Sequence, residues 1–169
     1  TASGRIGASW WGRCVGVIVD PFKDEVFAGG AGGGATCDGA PIKVGDEVLS
    51  EAVVATGFAP NEASLRPMVR GINAVGARAR TVRMLGSAAI MMAWVACGRL
   101  TAYFEPDLHA WGTAAGALPV RGAGGPVSGP DRAACRISKR PLVRPHGTTH
   151  GAAPYTHPPL AHTAQRQSA

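Results

Sequence analysis

The stretch "MLGSAAIMMAWVACG", Met84–Gly98, constrains the fold more than any other part of the chain. It is apolar all round rather than along one stripe, and a helix of that kind is stable only when buried on every side. The run is too short to cross a bilayer, and Arg83 and Arg99 bound it, so it reads as a buried helix and not as a membrane span. Ser87 is placed to cap its N-terminus and Gly98 to stop its C-terminus.

The segments before and after it supply strands. "CVGVIVDPFKDEVFAGG" carries a β-branched run from Val15 to Val19, a turn signal at Asp20-Pro21, and a short strand around Glu25–Ala28. That is the pattern of a β-hairpin. "GGATCDGAPIKV" continues it through a second turn at Asp38-Gly39, and "EAVVATGF" is a strand ending at Gly57. Pro60-Asn61-Glu62 opens a helix with Leu65, Met68, Val69, Ile72 and Val75 on one face. "RTVRML" and "LTAYF" are short strands, and residues 111–123 read as a last helix. Strands alternating with helices from residue 52 onward predict an α/β layered architecture. "GGAGGG", Gly29–Gly34, has no following Lys-Ser/Thr and opens no helix, so it reads as a flexible hairpin turn rather than a phosphate-cradling loop.

At 169 residues the chain has the size of one domain with a sizeable core. Its charge is uneven: residues 1–129 carry a net +1 and residues 130–169 a net +5, out of +6 in all. The periodicity stops after residue 129, which predicts a basic, Pro/His-rich tail, disordered or in irregular coil. A basic tail attracts polyanions, but here the charges are scattered without interleaved aromatics and read as a solvated segment, so nucleic acid is not the expected partner. His146 and His150 in "HGTTH" have the spacing of paired ligands, but the flanking Gly, Thr and Pro disfavour a helix and no third ligand is evident. Adventitious nickel or zinc is the most they would hold. Cys14, Cys37, Cys97 and Cys135 form no CxxC pair, which fits reduced thiols and an intracellular setting, with cytoplasm and plastid indistinguishable. No signal peptide is visible, and a start at Thr1 rather than Met reads as a fragment or a processed product.

Four segments, "GVIVDPFKDEVFAGGAGGGATCDGAPIKV", "VVATGF", "GSAAIMMAWVACGRLTAYFE" and "WGTAAGALPVRGAGGPV", occur in the order seen in the second half of inositol monophosphatases. The chain resembles that family, the plant and bacterial members above all, over roughly residues 9–128. The resemblance implies the C-terminal half of a layered α/β fold: hairpin strands, then alternating strands and helices, with an irregular tail. It divides the chain into a partial inositol monophosphatase-like domain, 1–129, and the tail, 130–169. It also implies a magnesium-dependent, lithium-sensitive phosphomonoesterase family, usually homodimeric, acting on inositol monophosphates and related sugar phosphates.

In that family clustered carboxylates hold Mg²⁺ ions, which neutralise the phosphate, lower the pKa of a bound water and stabilise the leaving alkoxide. The resemblance places most of these acids upstream, in a Glu-Glu pair and an Asp-Pro-x-Asp-Gly-Thr loop, and neither occurs here. It places one more directly after Trp111, where this chain has Gly112. Glycine offers no carboxylate. The acids of "DPFKDE", Asp20–Glu25, match a later family hairpin whose acids are expected to face solvent, so they do not replace the missing ligands.

The resemblance carries over a polyol-binding wall. Gly86, Ser87 and Ala88 match a Gly-Ser/Thr-Ala turn whose backbone contacts inositol hydroxyls at a helix N-terminus. Glu105 matches a Glu that accepts hydrogen bonds from ring hydroxyls. Read alone, these residues are an ordinary helix cap and a strand-end acid. Met91 and Thr101 stand where the family often has acids. Pro119 inside the last helix is expected to cost about 3 kcal/mol, and Gly122 about 1 kcal/mol more. The expected chain is therefore a marginally folded relative, inactive as a phosphatase by itself. Two rivals stand beside that reading. One is a working phosphatase that takes its metal ligands from another segment or subunit; the other is a non-catalytic protein that pairs with a homologue, or binds polyanions through its tail.

Overall fold

A computed structural model describes residues 3–8, 14–30, 32–57, 61–106, 108, 110–128 and 142–143. The first five strands, β1 (Ser3–Ala8), β2 (Cys14–Asp20), β3 (Glu25–Gly30), β4 (Gly34–Cys37) and β5 (Ala40–Pro41), form an antiparallel sheet in chain order. The expected hairpin is β2–β3, with Val17 opposite Ala28 and Asp20 opposite Glu25. The Gly-rich run is the β3–β4 turn, where Gly32 and Gly34 take positive φ.

The hairpin acids differ from expectation. Only Asp24 is a solvent-facing turn residue. Asp20 is buried and its Oδ1 accepts from the Phe22 N–H at 3.0 Å, which satisfies the turn that Pro21 initiates. Glu25 receives both guanidinium nitrogens of Arg99, at 2.6 and 2.7 Å, and so ties the hairpin to the segment after the apolar helix.

The second sheet has the order β7 (Thr81–Met84), β6 (Val53–Thr56), β8 (Ala102–Phe104), β10 (Leu142–Val143), β9 (Val127–Ser128). β6 pairs in parallel with both β7 and β8, and β10 pairs antiparallel with β8 and β9. The tail is thus not wholly irregular: Val143 lies opposite Tyr103, and Leu142 opposite Ser128. Two residues are too short a run to show alternation, so only the waiting strand edges reveal this element.

Three helices complete the layers: α1 (Glu62–Gly76), α2 (Ala88–Ala96) and α3 (Ala110–Gly122). Asn61 caps α1, its side chain accepting from the Ser64 N–H at 2.9 Å. The α1 face rotates relative to the sequence reading. Ser64, Met68 and Gly71 are buried, whereas Leu65 and Val69 are exposed. The reason is close approach: a Cβ on Gly71 would stand 2.8 Å from Cζ of Phe104, so the small residues rather than the large ones mark the contact line.

Tyr103 and Phe104 alternate across β8, as strand geometry requires. Tyr103 joins the core of α2 and α3 with Met91, Met92, Val95 and Val120, while Phe104 faces α1. Helices α2 and α3 therefore lie between the two sheets. Ile18 and Phe27 of the first sheet share a buried cluster with Ala93 of α2 and Ala115 of α3. Thr101, where an acid was noted as common, is buried and its Oγ1 accepts from the Val53 N–H at 3.1 Å.

Pro119 and Gly122 do not break α3. The helix runs through Pro119 and ends at Gly122, and the Ala123 N–H reaches the Pro119 carbonyl at 2.8 Å. The carbonyl that loses its donor to Pro119 belongs to Ala115, four residues earlier. Gly16 of β2 packs against that very oxygen, where a Cβ would clash. Gly122 lies against the backbone of Gly34, with a Cβ there 2.7 Å from the Gly34 carbonyl carbon. Both departures from good helix composition let α3 sit flush on the first sheet.

Candidate functional site

The carboxyl ends of β6, β7 and β8 form one edge, because Thr56 is level with both Met84 and Phe104. From β6 the chain passes through α1 to β7 on one side, and then through α2 to β8 on the other. The strand order reverses between β6 and β8. In open α/β sheets such a switch point leaves a crevice outside the strand ends, where ligands bind.

The residues matched to the polyol wall fall on this edge or next to it, whereas His146 and His150 lie outside the described residues. Glu105 directly follows β8, and Gly86 and Ser87 lie between β7 and α2. Gly86 takes φ +81° with open space where a side chain would begin, so its backbone is open to close approach. Ser87 caps α2, its hydroxyl accepting from the Ile90 N–H at 3.5 Å, and Ala88 begins the helix. The first N–H groups of a helix are unpaired by intrahelical bonds and favour electron-rich oxygens. Gly86–Ala88 and Glu105 are not adjacent. They follow β7 and β8, the strands that flank β6 and whose ends are two interstrand spacings, or about 10 Å, apart.

Two residues that sequence reasoning missed shape the acid, and a third lies buried at the end of β6. Buried Tyr103 donates its hydroxyl to Oε2 of Glu105 in a hydrogen bond. The Glu105 carboxylate lies over Gly57, where a Cβ would come within 2.5 Å of Oε2. Thr56 is fully buried, and among the described residues its Oγ1 finds no hydrogen-bond partner. The i, i+2 spacing of Tyr103 and Glu105 was a usable signal, since such residues share a strand face. Gly57 and Thr56 gave none.

Burial raises the Glu105 carboxyl above its ordinary pKa, partly offset by the hydrogen bond from Tyr103. Burial also pushes the Tyr103 phenol up, reinforced by the neighbouring charge and hydrogen bond of Glu105. The pair is a fixed acceptor next to a donor that keeps its proton. It can orient a hydroxyl-rich ligand.

The described residues of the edge do not fit a catalytic divalent cation. Mg²⁺ demands near-octahedral oxygen coordination and is anchored by carboxylates. Among the described residues no three His, Cys, Asp or Glu side chains come together. Gly112 lies in the first turn of α3, one residue after Trp111, and provides no side-chain donor atom. Glu105 is already engaged by Tyr103.

Layered sheets and helices, with a polar crevice at a switch point, define the class of α/β proteins that present small ligands to strand ends. Comparison with known proteins identifies which group within it. The model of the inositol monophosphatase family matches residues 12–169. A Nus factor SuhB of Xylella fastidiosa is 41% identical over 113 residues, covering 66% of this chain and 41% of the relative. An inositol-1-monophosphatase of Synechocystis sp. is 34% identical over 148 residues, covering 80% of this chain and 48% of the relative. The solved inositol monophosphatase of Anabaena (Nostoc) sp. superposes with a TM-score of 0.73 at 38% identity, over 80% of this chain and 55% of that one. The chain belongs to the inositol monophosphatase family. It spans about half the length of the curated relatives it matches.

Proposed function

We propose that these residues form the polyol-facing half of an inositol monophosphatase-type site and that, by themselves, they do not hydrolyse phosphate esters. The reading assigns Gly86, Ser87 and Ala88 to the ligand wall, with open backbone and a helix N-terminus directed at hydroxyl oxygens. It assigns Glu105 the role of accepting hydrogen bonds from ring hydroxyls, with Tyr103 holding one carboxylate oxygen in place. The expected ligand class is an inositol phosphate or a related sugar phosphate, whose ring suits a crevice about two strands wide.

The observation that carries the reading is Gly112 at the start of α3. In the family reaction Mg²⁺, when bound, polarises the phosphate and supplies a nucleophilic water. The described residues can orient a polyol, and among them no carboxylate cluster anchors that ion. The test is magnesium-dependent phosphate release from inositol 1-phosphate by the purified chain. No release above a heat-treated control is expected, and turnover above it would overturn the assignment. Saturation-transfer NMR with myo-inositol tests the wall separately: a signal lost in Glu105→Ala supports it, and no signal from the intact chain sinks it.

A further inference from the structure

Two neighbouring strands decide which part of the Glu105 carboxylate a ligand can reach. Along β8 and one residue past it, Tyr103 and Glu105 take one side, and Phe104, which faces α1, takes the other. Tyr103 is 1% exposed and locked among Met91, Met92, Val95 and Val120, so its hydroxyl is a donor that cannot swing away. Oε2 of Glu105 accepts from it. From the end of β6, the Gly57 backbone passes against the same carboxyl group. A Cβ on Gly57 would stand 2.5 Å from Oε2, 2.8 Å from Cδ and 3.1 Å from Oε1. A side chain at position 57 would need the space that the carboxylate fills.

An ionised carboxylate offers about four acceptor directions on its two oxygens. Tyr103 uses one of them, and the Gly57 backbone closes the approach on its side, most tightly at Oε2. Among the described residues no other group hydrogen-bonds this carboxylate. None of its described neighbours is charged either: Thr56 and Gly57 come from β6, and the α2 and α3 residues around Tyr103 are apolar. Oε1 is the oxygen left for a ligand. A half-buried acceptor held in one direction favours a hydroxyl at one place and penalises its absence.

We propose that Tyr103 and Gly57 are positioning residues that limit Glu105 to a single polyol hydroxyl, bound through Oε1, so that this corner of the crevice discriminates between polyols that differ at that hydroxyl. The inference rests on the polyol reading of the strand ends for its ligand, and on the side-by-side seating of β6 and β8 for its geometry. Both residues act through Glu105: one supplies a fixed donor, the other a surface without a side chain.

The experiment has a ligand-free arm and a polyol arm. Carbon-13 at Cδ of the glutamates reports the Glu105 carboxyl by NMR, assigned by the signal lost in Glu105→Gln. Tyr103→Phe keeps the ring that fills the core and deletes only the donor, whose hydrogen bond opposes the effect of burial; the Glu105 titration should move to higher pH. Gly57→Ala pushes the carboxyl off its seat toward water, so the titration should move to lower pH. A merely structural role would loosen the site in both variants and lower both. Shifts in the same direction, or none, therefore overturn the proposal. The polyol arm uses competition NMR with myo-inositol and its mono-deoxy analogues. In the parent, the analogue lacking the hydroxyl on Oε1 should bind roughly ten- to a hundredfold more weakly, the strength of a hydrogen bond to a charged acceptor. In Tyr103→Phe the gap for that one analogue should narrow by about fivefold or more. Gaps that stay unchanged, or that narrow alike for several analogues, overturn the proposal. A parent that binds no polyol ends the proposed function and this selectivity with it. Same-direction carboxyl shifts with polyol binding intact sink the positioning roles alone, so the two failures are distinct.

Discussion

Gly76 and Gly122 are each the last residue of a helix, α1 and α3, and so provide a matched test of composition against packing. Replacing glycine by alanine in a helix gains up to about 1 kcal/mol, because the unfolded chain loses freedom it would otherwise give up on folding. At Gly76 nothing opposes that gain. The nearest atom to a new Cβ is Cγ2 of Ile72 at 3.8 Å, an ordinary contact. Gly76→Ala is therefore expected to stabilise by about 0.5–1 kcal/mol. At Gly122 the new Cβ would stand 2.7 Å from the Gly34 carbonyl carbon and closer still to its oxygen. The obstacle is backbone and cannot swing aside. Overpacking costs of about 1–3 kcal/mol apply, at the upper end for a rigid neighbour. After subtracting the propensity gain, a net loss of about 1–2 kcal/mol remains, or a Tm drop of roughly 2–8 °C. Urea and thermal melts followed by circular dichroism measure both variants. If Gly122→Ala is as stable as the parent or more so, the close seating of α3 on β4 is wrong and Gly122 is merely a poor helix former.

Three further outcomes follow from the side chains. Burial raises the Glu105 pKa, so the fold favours its neutral form; that contribution is complete below the unfolded carboxyl pKa and is lost as pH rises through the folded one. The urea midpoint of the parent should fall relative to Glu105→Gln over that rise, and parallel curves would refute it. Arg99 has the opposite effect on Glu25, holding its carboxyl below the ordinary value chiefly by hydrogen bonding, so that contribution is present above the unfolded pKa and lost as pH falls through the folded one. Arg99→Gln should cost about 0.5–1 kcal/mol at neutral pH, less in high salt, given a partly exposed pair. Gly112→Asp should produce no Mg²⁺ binding heat by calorimetry, since one carboxylate does not make a site; micromolar binding would show that further ligands stand nearby.

The hairpin β2–β3 and the buried helix α2 were legible because local chemistry determines them: Val15–Val19, Asp20-Pro21, and an apolar run between Ser87 and Gly98. The α1 contact line was misread because Leu65 and Val69 carry the hydrophobicity while Ser64 and Gly71 carry the contact, and close approach is a property of the partner. The same holds for Pro119 and Gly122, which count as defects until the first sheet is seen lying against them. Glu105 was singled out through resemblance, its i, i+2 spacing to Tyr103 was there to be read, and Gly57 emerges only when β6 and β8 lie side by side. The family itself was legible, since several motifs recur in order.

Among the described residues strand β10 links β9 to the rest of the second sheet, pairing with Tyr103 on one flank and with Val127 and Ser128 on the other. During translation β8 and β9 both leave the ribosome before Leu142 and Val143 are made. A nascent chain released as far as Ser128 holds a sheet with a gap one strand wide, and a stall there would present two raw edges to chaperones and to other chains. For this molecule, closing the second sheet waits on Leu142 and Val143.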